Sequence, residues 1–191
     1  NEQSVTARVL VNAAGPWVKG VIDEKIGIES PGQVRLVKGS HIVVPRLHEK
    51  KHAFILQNPD RRIIFMIPYE REFTLIGTTD VPVPAGIDGQ SVRPVASIDE
   101  IAYLCKSASR YSAAPITPDQ VVWSYSGVRA LYDDGRSDPS AVTRDYHLLL
   151  DAGTHEAPLL SVFGGKITTY RRLAEQALKK LEPWFPGTRA W

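Results

Sequence analysis

Four basic side chains of the sequence could carry acid–base or anion-binding chemistry. His41 interrupts a strand-forming run in KGSHIVV, where it is either a core histidine or a general base, since imidazole titrates near neutrality. Arg129 ends WSYSGVR and Arg144 precedes a second apolar run, and both could hold a carboxylate or phosphate through a forked guanidinium. Lys166 lies where a C-terminal helix should begin. These residues together predict an anion site, without identifying the reaction.

The C-terminal segment LSVFGGKITTYRRLAEQALKKL has the pattern of a strand, a glycine turn and a helix. Leu159–Phe163 predicts a buried strand, and the helix, capped by Thr168 or Thr169, should end before Pro183. Such a turn presents backbone N–H groups at the positive end of the helix dipole, which favours an anion or an electron-rich atom. The alternative is an ordinary helix cap that faces water.

The HEKKH motif and the lone cysteine predict no chemistry, and two common nucleotide-binding motifs are absent from the sequence. HEKKH, from His48 to His52, matches the zinc metalloprotease pattern, but it reads as a charged turn between strands and not as a stable helix. We therefore expect no metal site. Neither G-x-G-x-x-G nor G-x-x-x-x-G-K-[ST] occurs in the chain. Cys105 cannot form an internal disulfide, and its place on the apolar face of a predicted helix favours core packing and a reducing compartment.

The sequence patterns around these residues predict the helices and strands of a mixed α/β fold. Val9–Val11 and the following NAAGPW indicate a strand, a turn and a helix with Pro16 at its first position. VRLVKGSHIVVP, HAFILQ, RRIIFMIPY and EFTLIGTTD predict an antiparallel meander, and residues 81–96 a connection. Ser97 and Glu100 form a capping box for a helix, whose predicted buried stripe is Ile98, Ile101, Ala102, Cys105 and Ala108.

The domain organisation predicted from this order is discontinuous. Residues 32–128 form an antiparallel domain that is inserted between βα segments at residues 1–31 and 129–191. The hydrophobic content of 43% can fill a core, and no apolar run approaches the roughly 20 residues of a membrane span. A net charge of +2 does not favour nucleic acid as a partner. The start at Asn1, just before a core strand, suggests a segment excised from a longer protein.

Several motifs together resemble the FAD-dependent, aerobic-type glycerol-3-phosphate dehydrogenases. They are NAAGPWV, VRLVKGSHIVVP, IIFMIPYEREFTLIGTTD, WSYSGVRALYDD, AVTRDYHL and PLLSVFGGKITTYRRLAEQAL. The resemblance, within the wider group of flavoproteins similar to D-amino-acid oxidase, implies an antiparallel substrate domain inserted into an FAD-binding α/β domain. The glycine fingerprint of that family's N-terminal dinucleotide-binding βαβ unit does not occur in this sequence, so we expect that unit to be missing here. We therefore expect the chain alone to bind FAD weakly or not at all and to have no useful activity.

The resemblance also implies a reaction and roles for individual residues. sn-Glycerol 3-phosphate loses a hydride to FAD, His41 takes the hydroxyl proton, Arg129 and Arg144 bind the substrate, and Lys166 reaches the flavin or the substrate. The implied cofactor-facing residues are Ala14, Gly15, Pro16, Gly164, Gly165, Lys166, Ile167 and Thr168. Ala130 replaces an expected proline after Arg129.

The implied setting is a cytoplasmic enzyme, peripheral at the inner membrane, that passes electrons to a quinone. Two alternatives stay open. The chain could belong to a related flavoprotein acting on an amino acid or a 2-hydroxy acid, or it could be an interaction module without chemistry.

Overall fold

The computed structural model describes residues 3–28, 32–83, 94–133, 145–153 and 157–187, which fall into two compact units. The first unit contains the described residues up to Leu36 and from Arg129 onward. The second unit contains Val37–Val83 and the described residues up to Val128. The domain boundaries expected at residues 31/32 and 128/129 stay a prediction.

The described strands are β1 Leu10–Asn12, β2 Val34–Pro45, β3 Phe54–Gln57, β4 Ile63–Tyr69, β5 Phe73–Gly77, β6 Val81–Pro82, β7 Trp123–Tyr132, β8 His147–Asp151 and β9 Leu159–Phe163. The described α-helices are α1 Val18–Gly20, α2 Ile98–Ser109 and α3 Tyr170–Leu181. Short 3-10 turns cover Gly15–Trp17, Pro118–Gln120, Ile167–Thr169 and Glu182–Trp184, and Val21–Ile26 is π-helical. None of the helices in the described ranges has the length and apolar character needed to cross a membrane.

The first unit is built on a three-stranded sheet in the order β1-β9-β8. β9 pairs in parallel with β1 and antiparallel with β8. The helical segment after β1 places Val18 and Ile22 in a core with Leu159 and Phe163. The predicted strand and helix of the C-terminal segment are confirmed, because the bounds of β9 and α3 coincide with the sequence pattern.

The second unit contains the antiparallel meander. The strand order is β3-β4-β5-β2-β6, and β7 also pairs with β2. β2 spans Val34–Pro45, which is the whole predicted segment VRLVKGSHIVVP. The predicted connection at residues 81–96 is partly wrong, because Val81–Pro82 forms the short strand β6 against β2. Residues 84–93 of that connection lie outside the described residues.

Helix α2 packs on one face of this sheet. Its capping box forms as predicted, with the Ser97 and Glu100 side chains each accepting the other's backbone N–H. The buried stripe is rotated from the prediction, because Ile98 is 86% exposed while Leu104 is fully buried. Cys105 is buried in this core, as predicted, and burial raises the pKa of its thiol.

Candidate active site

One edge of the first unit collects the glycine-containing turns. β1 and β9 are parallel neighbours, with Asn12 opposite Ser161, so their carboxyl ends point to the same edge of the sheet. Ala14–Pro16 follow β1, and Gly164–Thr168 follow β9. Ligands of α/β sheets bind at the carboxyl ends of strands. The structure therefore brings the two predicted cofactor-facing segments to one edge.

Asn12 organises the turn after β1, and the sequence reasoning missed it. Its side chain is 5% exposed. Its amide Nδ2 donates to the Val18 carbonyl at 2.9 Å, and its Oδ1 accepts from the Ala14 N–H at 3.3 Å. An asparagine at the end of a strand commonly folds the backbone this way, which is the signal that could have revealed it. Gly15 then adopts φ +58° with open space on its Cβ side.

The twin-glycine corner after β9 is closely packed on its first residue. Gly164 has φ +69°, and a Cβ built there would lie 2.9 Å from the Asp145 backbone oxygen and 3.5 Å from the Tyr132 nitrogen. Gly165 has φ +97°, and a Cβ there would meet the Tyr146 side chain at 3.3 Å. Both positions therefore require glycine, Gly164 for conformation and space and Gly165 mainly for conformation.

The end of β7 lies beside this corner. A Cβ on Gly164 would be 3.6 Å from the Ala130 carbonyl oxygen. Arg129, the half-buried residue before Ala130, therefore belongs to the strand segment that borders the corner. In this way the first unit places a guanidinium-bearing strand close to the glycine turn.

The helix start after the glycines has no side-chain cap, contrary to the prediction for Thr168 or Thr169. Thr169 occupies the N-cap of α3, but its hydroxyl donates to the Lys166 carbonyl at 2.8 Å and accepts no N–H of the first turn. The first turn contains no acidic residue. Ile167 and Tyr170 are 86% and 68% exposed. The end of the helix that carries positive partial charge is thus bordered by exposed apolar surface.

The second unit carries His41 on the sheet face opposite α2. The His41 ring stacks on the Tyr125 ring of β7, with centroids 4.9 Å apart and planes inclined by 6°. Tyr125 in turn contacts Trp123 at 5.1 Å between centroids. Tyr125 and Trp123 are 37% and 53% exposed, so His41 lies among accessible aromatic surface. The sequence reasoning missed both aromatic residues, because neither is close to His41 along the chain.

Gly77 makes room for the His41 ring. The two residues are register partners on β5 and β2. A Cβ on Gly77 would lie 2.0 Å from His41 Cδ2 and 2.6 Å from Nε2, so no other residue type fits without moving the imidazole. Packing against the His41 ring therefore explains why the GTTD motif begins with glycine.

The phenol of Tyr125 stays neutral near pH 7. Its desolvation raises the pKa above the ordinary value of 10.0, and nearby Tyr69 raises it further. Tyr125 thus stacks on His41 as an uncharged ring.

The predicted site residues divide between the units. Arg129, Lys166 and the two turns belong to the first unit, and His41 belongs to the second. Lys166 is exposed. Arg144 lies outside the described residues. The HEKKH segment lies in the connection between β2 and β3 and is not helical, so it lacks the geometry of the protease motif.

Comparison with known proteins identifies the family. Residues 1–171 match the family described as DAO, FAD dependent oxidoreductase. The chain is 52% identical over 181 residues to the aerobic glycerol-3-phosphate dehydrogenase of Escherichia coli K12, covering 95% of this chain and 35% of that protein. It is 48% identical to the D-erythritol 1-phosphate dehydrogenase of Brucella abortus, covering 94% of this chain and 35% of that protein.

A solved structure agrees with these matches. The glycerol-3-phosphate dehydrogenase of Bacillus halodurans, complexed with FAD, superposes with a TM-score of 0.77 at 27% identity, covering 99% of this chain and 35% of that one. The chain therefore spans about 35% of the length of the relatives it matches.

The residues of the first unit fit a flavin. The uncapped start of α3 carries positive partial charge, which favours a ring that gains electrons. The left-handed glycine at position 164 adds no side chain to the turn, and exposed Ile167 and Tyr170 offer apolar surface. With a family match over residues 1–171, the chain belongs to the DAO family of FAD-dependent oxidoreductases.

Proposed function

We propose that this chain forms part of a dehydrogenase that oxidises sn-glycerol 3-phosphate to dihydroxyacetone phosphate. The observation that carries the proposal is the 52% identity to a glycerol-3-phosphate dehydrogenase over 95% of the chain. Because the match covers 35% of that relative, we infer that activity belongs to a longer protein that contains this chain, called the whole enzyme below.

In this proposal the first unit holds the cofactor. The residues that contact it are Ala14, Gly15, Pro16, Gly164, Gly165, Lys166, Ile167 and Thr168. FAD, when bound, supplies the acceptor for the hydride that leaves C2 of the substrate. The positive end of α3 favours the negative charge that accompanies reduction, and the Lys166 ammonium adds to the same field.

His41 acts as the general base in this mechanism. The imidazole accepts the proton of the C2 hydroxyl, so the loss of proton and hydride turns the alcohol into a ketone. Stacking on Tyr125 and contact with Gly77 hold the ring plane, which limits the directions from which the ring can accept that proton. Proton transfer by a positioned side chain typically contributes about 10²–10⁴-fold to the rate.

Arg129 and Arg144 bind the substrate in this proposal. A phosphate monoester carries close to two negative charges near pH 7, and a guanidinium can bind it through two parallel hydrogen bonds. Arg129 lies at the half-buried end of β7, beside the glycine corner. The role of Arg144 is supported by the sequence resemblance alone.

The electron acceptor and the location are further parts of the proposal. We propose that a membrane quinone reoxidises the flavin and that the enzyme is cytoplasmic and peripheral at the inner membrane. Reoxidation of the reduced whole enzyme by a soluble quinone analogue, faster than by dioxygen, would support this acceptor.

A second candidate substrate is D-erythritol 1-phosphate. The 48% identity to a dehydrogenase of that name supports it specifically. Both substrates have a secondary alcohol next to a phosphorylated carbon, so both suit a base and a phosphate-binding arginine. They differ by one hydroxylated carbon at the far end of the molecule.

Anaerobic reduction of the flavin in the whole enzyme tests the assignment. Glycerol 3-phosphate should bleach the oxidised flavin band with a higher kcat/KM than D-erythritol 1-phosphate. The opposite order would reassign the substrate. Bleaching by glycine or 2-hydroxyglutarate, with no response to either polyol phosphate, would refute the proposal.

A further inference from the structure

A buried carboxylate at the start of α2 has more partners than helix capping needs. Glu100 Oε1 accepts from the Ser40 hydroxyl at 2.7 Å and the Thr79 hydroxyl at 2.8 Å. Oε2 accepts from the Ser97 N–H at 2.9 Å and pairs with the Lys38 ammonium at 2.8 Å. Its side chain is 7% exposed. A buried acid with four donors joins β2, α2 and the segment after β5 at one point.

This cluster continues into β7 through a pair of hydroxyls. Ser40 Oγ lies 2.7 Å from Ser126 Oγ. A hydroxyl has one hydrogen to donate, and that of Ser40 goes to Glu100, because a carboxylate can only accept. Ser126 is therefore the donor to Ser40. The charge on Glu100 sets the direction of both hydrogen bonds.

The hydroxyl pair lies directly behind the stacked rings. Ser40 precedes His41 on β2, and Ser126 follows Tyr125 on β7. Successive residues of a strand point to opposite faces of the sheet. The Ser40–Ser126 hydrogen bond and the His41–Tyr125 stack therefore join the same two strands at adjacent residues, on opposite faces of the sheet.

We propose that Glu100 is a positioning residue that fixes His41 against Tyr125 through the Ser40–Ser126 hydrogen bond. The inference rests on the proposed function, in which His41 is the base, and it adds a residue on the opposite face of the sheet to that site. Glu100 has no contact with the imidazole in this role. It acts by holding the two strands in one register where the rings meet.

Glu100→Gln is the most direct test, because glutamine has the shape of glutamate but replaces one accepting carboxylate oxygen with a donating amide group. Neither the Lys38 ammonium nor the Ser97 N–H can accept, so the amide oxygen must face them. The amide nitrogen then faces the hydroxyls of Ser40 and Thr79, which must accept instead of donate. The Ser40 hydrogen is released toward Ser126, and the hydrogen-bond direction between the strands reverses.

The kinetic arm uses the whole enzyme with glycerol 3-phosphate. Glu100→Gln should lower kcat by about tenfold while KM stays within about twofold and flavin content is unchanged, since a small misplacement of a reacting group reduces rate more than binding. Asp99→Asn is the matched control, because it makes the same change at the neighbouring exposed residue of α2. It should leave kcat unchanged.

A second control separates positioning from general loss of stability. Ile64→Val weakens the fully buried core beneath the same sheet and touches no hydrogen bond of the cluster. It should lower the melting temperature and leave kcat unchanged. An equal loss of kcat in Ile64→Val and Glu100→Gln would overturn the proposal.

The spectroscopic arm uses this chain and needs no activity. Stacking on Tyr125 shields the His41 ring protons, so their NMR signals should lie upfield and move downfield in Glu100→Gln but not in Asp99→Asn. His41→Asn assigns the signals among the five histidines. Unchanged His41 signals in Glu100→Gln would overturn the inference. If the whole enzyme oxidises neither polyol phosphate, the proposed function fails, and this arm alone decides the positioning of the ring.

Ser126 provides the variants to use if Glu100→Gln does not fold. Ser126→Ala removes one hydroxyl and should shift the His41 signals and lower kcat in the same direction. Ser126→Thr keeps the hydroxyl and should restore both. Wild-type signals and kcat in Ser126→Ala would contradict the proposed role of the hydroxyl pair.

Discussion

The glycine corner after β9 allows a quantitative test of its close packing. Gly164→Ala places a methyl group in a backbone of φ +69°, with the new carbon 2.9 Å from the Asp145 carbonyl oxygen. Gly187→Ala is the matched control. Gly187 has φ +84°, and a Cβ there meets nothing within 4 Å. Both variants therefore introduce backbone strain, and only the first adds a collision.

The expected losses of stability follow from these two contributions. Left-handed backbone costs an L-residue about 1–2 kcal/mol, which applies to both variants. The collision adds about 1–3 kcal/mol at Gly164, because a backbone carbonyl cannot rotate away as the end of a long side chain can. The lower entropy of the unfolded alanine chain is common to both variants and cancels in the comparison.

Thermal and denaturant unfolding measure the difference. Each kcal/mol lowers the melting temperature by about 2–4 °C in a chain of this size. Gly164→Ala should therefore melt lower than Gly187→Ala by about 2–12 °C. In the whole enzyme it should also weaken FAD binding, whereas Gly187→Ala should not. Equal melting temperatures for the two variants would refute the close packing of Gly164.

Four further predictions concern the second unit and the substrate. In the whole enzyme, His41→Asn should lower kcat by about 10²–10⁴-fold with flavin retained, and steady-state kinetics with flavin absorbance check this. Gly77→Ala should displace the His41 ring and lower kcat similarly, and a wild-type rate would contradict the contact. Burial raises the pKa of Glu100, but hydrogen bonds from Lys38, Ser97, Ser40 and Thr79 outweigh it and lower the value from 4.5 to about 2. The unfolded state therefore binds the proton more tightly than the folded state. The ionised Glu100 carboxylate contributes about 3 kcal/mol to the free energy of unfolding above pH 4.5, and this contribution is lost as pH falls toward 2. The unfolding free energies of wild type and Glu100→Gln, measured by urea titration, should therefore converge as pH falls over that range. Arg144→Ala should raise KM for glycerol 3-phosphate and leave flavin content unchanged, and an unchanged KM would argue against the substrate role of Arg144.

Local patterns predicted much of the fold because they report on short-range physics. β2, β9 and α3 have the bounds that their apolar patterns indicate, and the Ser97–Glu100 capping box forms. The two-residue strand β6 escaped prediction because a pair containing a proline has no periodicity of its own. β6 is a strand only because it pairs with β2, which its own two residues do not indicate.

The two errors in the helices have different causes, tertiary packing for α2 and a local hydrogen bond for α3. Ile98 fits the apolar period of α2, yet it lies in the first turn and is exposed, while Leu104 faces the core. Thr169 stands at the N-cap of α3 as expected. Its hydroxyl nevertheless donates backward to Lys166, so the N-cap residue contributes no acceptor to the first turn.

The candidate site residues were named from the sequence, and their roles stay predictions, but their supporting contacts could not be predicted. His41 and the glycine pair were singled out from local motifs, and the family resemblance implied their roles. The partners that hold them come from distant parts of the chain. Ser40 and Ser126 are 86 residues apart in sequence, and Ser40 and Glu100 are 60 apart. No local pattern encodes such pairs, since they exist only once β2, β7 and α2 have assembled.

The parallel pairing of β1 with β9 sets an order of events during synthesis. β1 leaves the ribosome before the meander, but its neighbour Leu159–Phe163 is made almost 150 residues later, as the register Leu10 to Leu159 requires. The antiparallel meander can close from contacts made in between. The edge that carries the two glycine turns therefore forms after the meander, and a nascent chain stalled before β9 would lack the β1–β9 pairing.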